Sequence, residues 1–127
     1  MFEQYSIETA PENSKDLLQN AFNKFGFVPN QDKILAVSPS IYQAYNQSFD
    51  LFLGKSTLGF LEGQIVLMTI SFENNSPYCV ALHSWGMEMT KVSTKIINAL
   101  RNGQQINDQR LESLRNFTKQ IINIKGI

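Results

Sequence analysis

The sequence of 127 residues contains a single cysteine, Cys79, and a single histidine, His83. One cysteine cannot form a disulfide within its own chain, so nothing in the sequence calls for an oxidising compartment. Structural zinc sites use four ligands and catalytic zinc sites usually three, and one Cys with one His does not supply such a set. We therefore expect no metal ion and no cofactor.

The sequence also lacks an excess of charge of either sign. Eleven basic residues balance eleven acidic ones, and no long block of Lys or Arg occurs, so the electrostatic signature of a nucleic-acid-binding protein is missing. No run of apolar residues approaches the length of a membrane span, and the first residues, Met1–Tyr5, have neither a basic nor an apolar region typical of a signal peptide. We expect a soluble, unexported, cytoplasmic protein that binds neither membranes nor nucleic acids.

Apolar and aromatic residues, by contrast, are plentiful. Hydrophobic residues make up 43% of the chain and charged residues 17%, and there are nine Phe, four Tyr and one Trp. A single domain of this length does not easily bury so much apolar surface by itself. The composition therefore predicts one globular domain over residues 1–127 that associates with further copies of itself.

Helical spacing of apolar residues predicts an all-α domain of about six helices. The predicted helices cover about residues 12–24, 39–54, 60–70, 77–89, 92–100 and 108–124, with a short helical turn at 32–36. The run at 60–70 is apolar nearly all round and fits a buried strand as well as a buried helix, but its length favours the helix.

Cap and stop residues set the predicted ends of these helices. Ser38 and Ser76 each precede a proline, the pattern of an N-cap followed by proline at the first helical position. Asn13 or Ser14 is a candidate N-cap for the first helix, which Gly26 ends, and Asn107 is the predicted N-cap of the last one. The last helix is expected to turn one apolar face inward, formed by Leu111, Leu114, Phe117, Ile121 and Ile122.

The start of the predicted helix at Pro77 carries the residues best suited to chemistry. With Ser76 as N-cap, accepting a hydrogen bond from the Cys79 N–H, Cys79 falls in the first turn, where unpaired N–H groups and the helix dipole favour a thiolate. His83 lies four residues later on the same helix face and can take the thiol proton or stabilise a thiolate as an imidazolium. The spacing by itself is more often that of a buried, inert cysteine beside a satisfied histidine.

The stretch Gln64–His83, which reads QIVLMTISFENNSPYCVALH, resembles the signature of the alkylhydroperoxidase D and carboxymuconolactone decarboxylase family. That signature has a buried helix beginning near a Glu, a turn with two cysteines, and a His four residues after the second cysteine. Further stretches are similar to the peroxidase-related branch of the family: Phe25–Asn30, Ser38-Pro39, Ala99–Gly103 and Leu111–Phe117. The resemblance implies an alkylhydroperoxidase D-like helical bundle that forms homotrimers or homohexamers.

The resemblance also implies a set of catalytic positions, at two of which this chain departs from the family. Cys79 and His83 match the thiol that attacks peroxide and its proton-carrying His. Ser76 stands at the position of the partner cysteine, and Gln64 at that of the relay Glu. Ser76 cannot resolve a sulfenic acid as a disulfide, and Gln64 cannot take a proton but can orient a hydroxyl, a water or the imidazole.

Three functions follow from these matches and departures. The first is a thiol-dependent peroxidase that reduces a small hydroperoxide and is restored by an external thiol. The second is a non-catalytic oligomeric binding protein on the same fold, and the third is a carboxymuconolactone decarboxylase-like enzyme. Glu62 and Glu73 are candidates for the missing carboxylate, but Glu62 is expected to face away from Gln64 and Glu73 to be solvated.

Overall fold

The computed structural model describes residues 1–125, and this part of the chain is all-α, as predicted, with seven helices and no strand. The helices are α1 (Glu12–Phe25), α2 (Asn30–Leu35), α3 (Pro39–Lys55), α4 (Phe60–Glu73), α5 (Pro77–Met89), α6 (Thr94–Arg101) and α7 (Gln109–Asn123). None of the described helices combines the length and the apolarity that crossing a membrane would require. The chain divides into two compact units, residues 1–51 and the chain from Phe52 onward.

The predicted stop of the first helix is confirmed, but its predicted N-cap is wrong. Gly26 ends α1 in the left-handed conformation (φ 79°), and its N–H donates to the carbonyl of Phe22. At the other end Pro11, and not Asn13 or Ser14, is the N-cap. Ser14 lies inside the helix, fully buried, where its hydroxyl donates to the Ala36 carbonyl (2.8 Å) and so ties α1 to the segment after α2.

The core of the N-terminal unit contains Tyr42 of α3, which is completely buried and packs with Leu18 and Ala36. The Tyr42 hydroxyl donates to Oδ1 of Asp32 at 2.6 Å. Burial raises the pKa of the Asp32 carboxyl, and the bond from Tyr42 opposes that shift by stabilising the carboxylate. This hydrogen bond therefore pairs two polar groups inside an apolar core.

The C-terminal unit places α4 at its centre, in contact with α5, α6 and α7. This explains why α4 is apolar nearly all round, since it has neighbours on most sides. The buried core of the C-terminal unit consists of Ile65, Met68, Met87, Ile97, Leu100, Ile106 and Leu111.

The predicted apolar face of α7 is only partly the face that is buried. Leu111 is in the core, but Phe117 is 61% and Ile121 42% exposed. Glu112 and Arg115 are buried instead, as a pair with N–O distances of 2.7 and 2.9 Å, and Glu112 also accepts the N–H of Ile106 at 2.8 Å. Because the two charges neutralise each other within one helical turn, α7 can bury them, and they hold the loop that precedes it.

The N-cap of α7 is Asp108 and not Asn107. The Asp108 carboxylate accepts the N–H of Leu111 at 2.9 Å. A carboxylate at this position gains from the helix dipole as well as from the hydrogen bond, which explains why it takes the role in preference to the neighbouring amide.

A tight turn at Asn102-Gly103 follows α6. Gly103 adopts a left-handed conformation (φ 63°), and a Cβ atom at this position would collide with the ring of Phe72. The Gly103 N–H donates to the Leu100 carbonyl (3.3 Å), and the Asn102 side-chain amide donates to the Asn98 carbonyl (2.8 Å). Conformation and space both require glycine here.

Replacing Tyr42 with Phe is expected to lower the free energy of unfolding by about 1–3 kcal/mol, because the Asp32 carboxylate loses a donor in a buried position. Urea unfolding followed by circular dichroism measures this change. Tyr5→Phe is the matched control, since it removes an exposed hydrogen bond to Glu3 in the same unit and should change stability by less than about 0.5 kcal/mol. Equal effects of the two substitutions would contradict the role given to Tyr42.

Candidate functional site

The turn into α5 begins at Ser76, as predicted, but Ser76 does not cap the helix with its side chain. Its hydroxyl makes no capping hydrogen bond, so the predicted bond from the Cys79 N–H is wrong. The Ser76 backbone (φ −103°, ψ 89°) departs from the extended conformation typical of such caps, which accounts for the missing bond. Its backbone groups still join the turn, with the N–H donating to Ser71 and the carbonyl accepting from Val80.

Cys79 occupies the third position of α5, in the helix's first turn. Cys79 forms no disulfide, and the residue is partly exposed. His83 follows one turn later on the same helix, and residues at this spacing lie on one helix face. The structure thus puts both residues on one helix, with Cys79 in its first turn and His83 one turn further on.

Gln64 joins this pair from a different helix. It lies on α4 with only 4% of its surface exposed, and its Oε1 is 3.1 Å from Nδ1 of His83 in a hydrogen bond. The sequence left three partners open for the Gln64 amide, and the structure selects the imidazole. Packing of α4 against α5 brings together these residues, which are 19 positions apart.

The two carboxylates considered as substitutes for a relay Glu are engaged by cations of α7. Glu62 pairs with Arg110, which holds the pKa of Glu62 below its usual range. Glu73 pairs with Lys119 at 3.5 Å with its side chain only 13% exposed, so the prediction that Glu73 is solvated is wrong. Helix α7 therefore directs both carboxylates into structural ion pairs.

The electrostatic environment of the site favours a neutral imidazole. Burial lowers the pKa of His83, because removing the ring from water penalises the charged form. The partner at Nδ1 is an uncharged amide, which offers an imidazolium less stabilisation than a carboxylate would. A neutral His83 can act as a proton acceptor toward a group on the same helix face.

Two further observations bear on identity. Within residues 1–125 no cluster of three or more His, Cys, Asp or Glu side chains is arranged to hold a metal ion. Compared with protein-family models and with curated proteins, the sequence has no match.

The partly buried position of His83, which lowers its pKa, predicts a specific pH dependence of stability. The unfolded chain protonates its His near pH 6.5, while the folded chain resists protonation to lower pH, so the wild type should lose stability as the pH falls below about 6.5. His83→Gln removes this contribution and keeps an amide able to bond to Gln64. Urea unfolding of both proteins at pH 8 and pH 5 should therefore show the larger loss in the wild type, and parallel losses would refute the assignment.

Proposed function

We propose that this chain is a thiol-dependent peroxidase with an alkylhydroperoxidase D-like fold, in which Cys79 attacks a hydroperoxide and His83 carries the proton. The observation that carries the proposal is the Gln64–His83 hydrogen bond, which holds an imidazole of lowered pKa one helical turn from the partly exposed Cys79. The motifs between Gln64 and His83 support the same assignment. A cytoplasmic location, where thiol reductants are abundant, belongs to this proposal.

The first half of the reaction oxidises the cysteine. His83 accepts the thiol proton, and the sulfur attacks one peroxide oxygen as the O–O bond breaks. Cys79 becomes a sulfenic acid, and the departing alkoxide takes the proton from His83 and leaves as an alcohol. The peroxide is reduced by two electrons, all of which come from the sulfur.

The second half of the reaction requires thiols from outside the chain. Ser76 has no sulfur and Cys79 is the single cysteine, so no disulfide can form within one chain. An external thiol attacks the sulfenic sulfur, which releases water and leaves a mixed disulfide. A second external thiol then frees Cys79 and departs as the external disulfide.

Consumption of hydrogen peroxide or a small organic hydroperoxide, with dithiothreitol as the external thiol, tests the proposal. We expect Cys79→Ser to abolish consumption above background and His83→Gln to lower its rate by about 10²-fold or more, since a positioned acid–base group contributes roughly that much. Met89→Leu is the matched control, because Met89 is an exposed sulfur-containing residue of α5 whose loss should not matter. Wild-type consumption by Cys79→Ser would eliminate the proposed function.

A second candidate function is that of a non-catalytic binding protein that assembles as a homotrimer or homohexamer. The observation that favours it is the exposure of Phe117, Ile121 and Ile124, at 61%, 42% and 53%, which helical spacing puts on one face of α7 and its C-cap. A Cys79 thiol that resists alkylation, together with an oligomer that Phe117→Ser dissociates in sedimentation experiments, would favour this function over the peroxidase.

A further inference from the structure

The imidazole of His83 has two nitrogens, and in its neutral form only one of them carries a proton. We propose that Gln64 is a positioning residue that holds His83 in the tautomer protonated at Nδ1, which leaves Nε2 as the proton-accepting nitrogen. The catalytic meaning of this inference depends on the proposed peroxidase function, whereas the tautomer itself does not.

The hydrogen bond between the two side chains sets the tautomer. Oε1 of Gln64 is a carbonyl oxygen and can only accept, so the 3.1 Å bond requires a proton on Nδ1 of His83. A neutral ring then has its lone pair on Nε2. In water a histidine side chain prefers the opposite tautomer, with the proton on Nε2, so the bond to Gln64 reverses an intrinsic preference.

The position of Gln64 explains how an amide can impose this choice. Gln64 is 96% buried on the central helix of its unit, and its backbone is fixed by α4 packing against α5. The opposite orientation of the amide would direct its NH₂ group at Nδ1 and would select the other tautomer. The tautomer of His83 is therefore a direct measure of the orientation of the Gln64 amide.

The tautomer also determines the type of acid–base chemistry at Cys79. The sequence left open whether His83 removes the thiol proton or stabilises a thiolate as an imidazolium. An uncharged partner at Nδ1, in a partly buried setting that lowers the pKa of His83, favours the neutral ring. His83 therefore works as a general base through Nε2 and not as a permanent cation beside a thiolate.

Because the chain contains a single histidine, nuclear magnetic resonance reads this tautomer without overlap. Protein labelled with ¹⁵N-histidine is recorded at pH 8 in long-range ¹H–¹⁵N correlation spectra, in which the protonated and unprotonated ring nitrogens are well separated. We expect Nδ1 to be the protonated nitrogen in the wild type, and Gln64→Met, of similar size but with no strong acceptor, to make Nε2 the protonated one.

Two further variants separate positioning from a general effect on structure. Gln64→Glu restores an acceptor and should restore the proton on Nδ1. Thr69→Val changes another buried polar residue of α4, whose hydroxyl bonds to the Ile65 carbonyl, and should leave the His83 tautomer unchanged. Circular dichroism spectra compare the fold of each variant with that of the wild type.

The inference is overturned if the wild type carries its proton on Nε2, or if a folded Gln64→Met keeps it on Nδ1. If Gln64→Met does not fold, the wild type and Gln64→Glu test the inference, which then requires His83 to be protonated on Nδ1 in both proteins. If His83 is protonated on Nδ1 but the protein consumes no peroxide, this inference holds and the proposed function is wrong. If the protein consumes peroxide but His83 is protonated on Nε2, the proposed function holds and this inference is wrong.

Discussion

The burial of α4 among three other helices obliges the polar side chains on it to find partners inside the C-terminal unit. Thr69 and Ser71 meet this requirement locally, because each hydroxyl donates to a backbone carbonyl one turn earlier on the same helix. Gln64 differs, since its Oε1 is paired with His83 on α5. One buried amide thus connects the packing of two helices to the position of an imidazole, and a shift of either helix would leave a polar group without its partner.

Local signals in the sequence were enough to predict the helices, because apolar residues at helical spacing, proline after serine and glycine after a helix all act within a few residues. They were not enough to predict which face of α7 is buried. Hydropathy favoured Phe117 and Ile121, whereas the structure buries Glu112 and Arg115, since the pair neutralises its own charge and Glu112 also serves the loop before the helix. Sequence patterns rank side chains one at a time, but burial of a charge depends on what it is paired with.

The candidate site divides in the same way into a local and a non-local part. Cys79 and His83 belong to one helix, so their spacing alone places them on one face. The contact between Gln64 and His83 depends on how two helices pack, and the sequence could name both residues without choosing among the partners open to the amide. Ser76 shows what a cap pattern can and cannot predict. The Ser-Pro pair correctly predicts that Ser76 precedes the first residue of α5, but whether its side chain caps the helix depends on backbone angles that the pattern does not specify.

The turn after α6 has a consequence for the chemical durability of the protein. Asn102-Gly103 is the one Asn-Gly pair in the sequence, and such pairs are prone to deamidate when the glycine nitrogen attacks the asparagine side chain to form a succinimide. Here the Gly103 N–H is bound to the Leu100 carbonyl, the Asn102 amide is bound to the Asn98 carbonyl, and the Phe72 ring fills the space beside Gly103. Ring closure would have to break both bonds, so the folded chain protects its most labile amide, and the appearance of isoaspartate at Asn102 would record how often this turn opens.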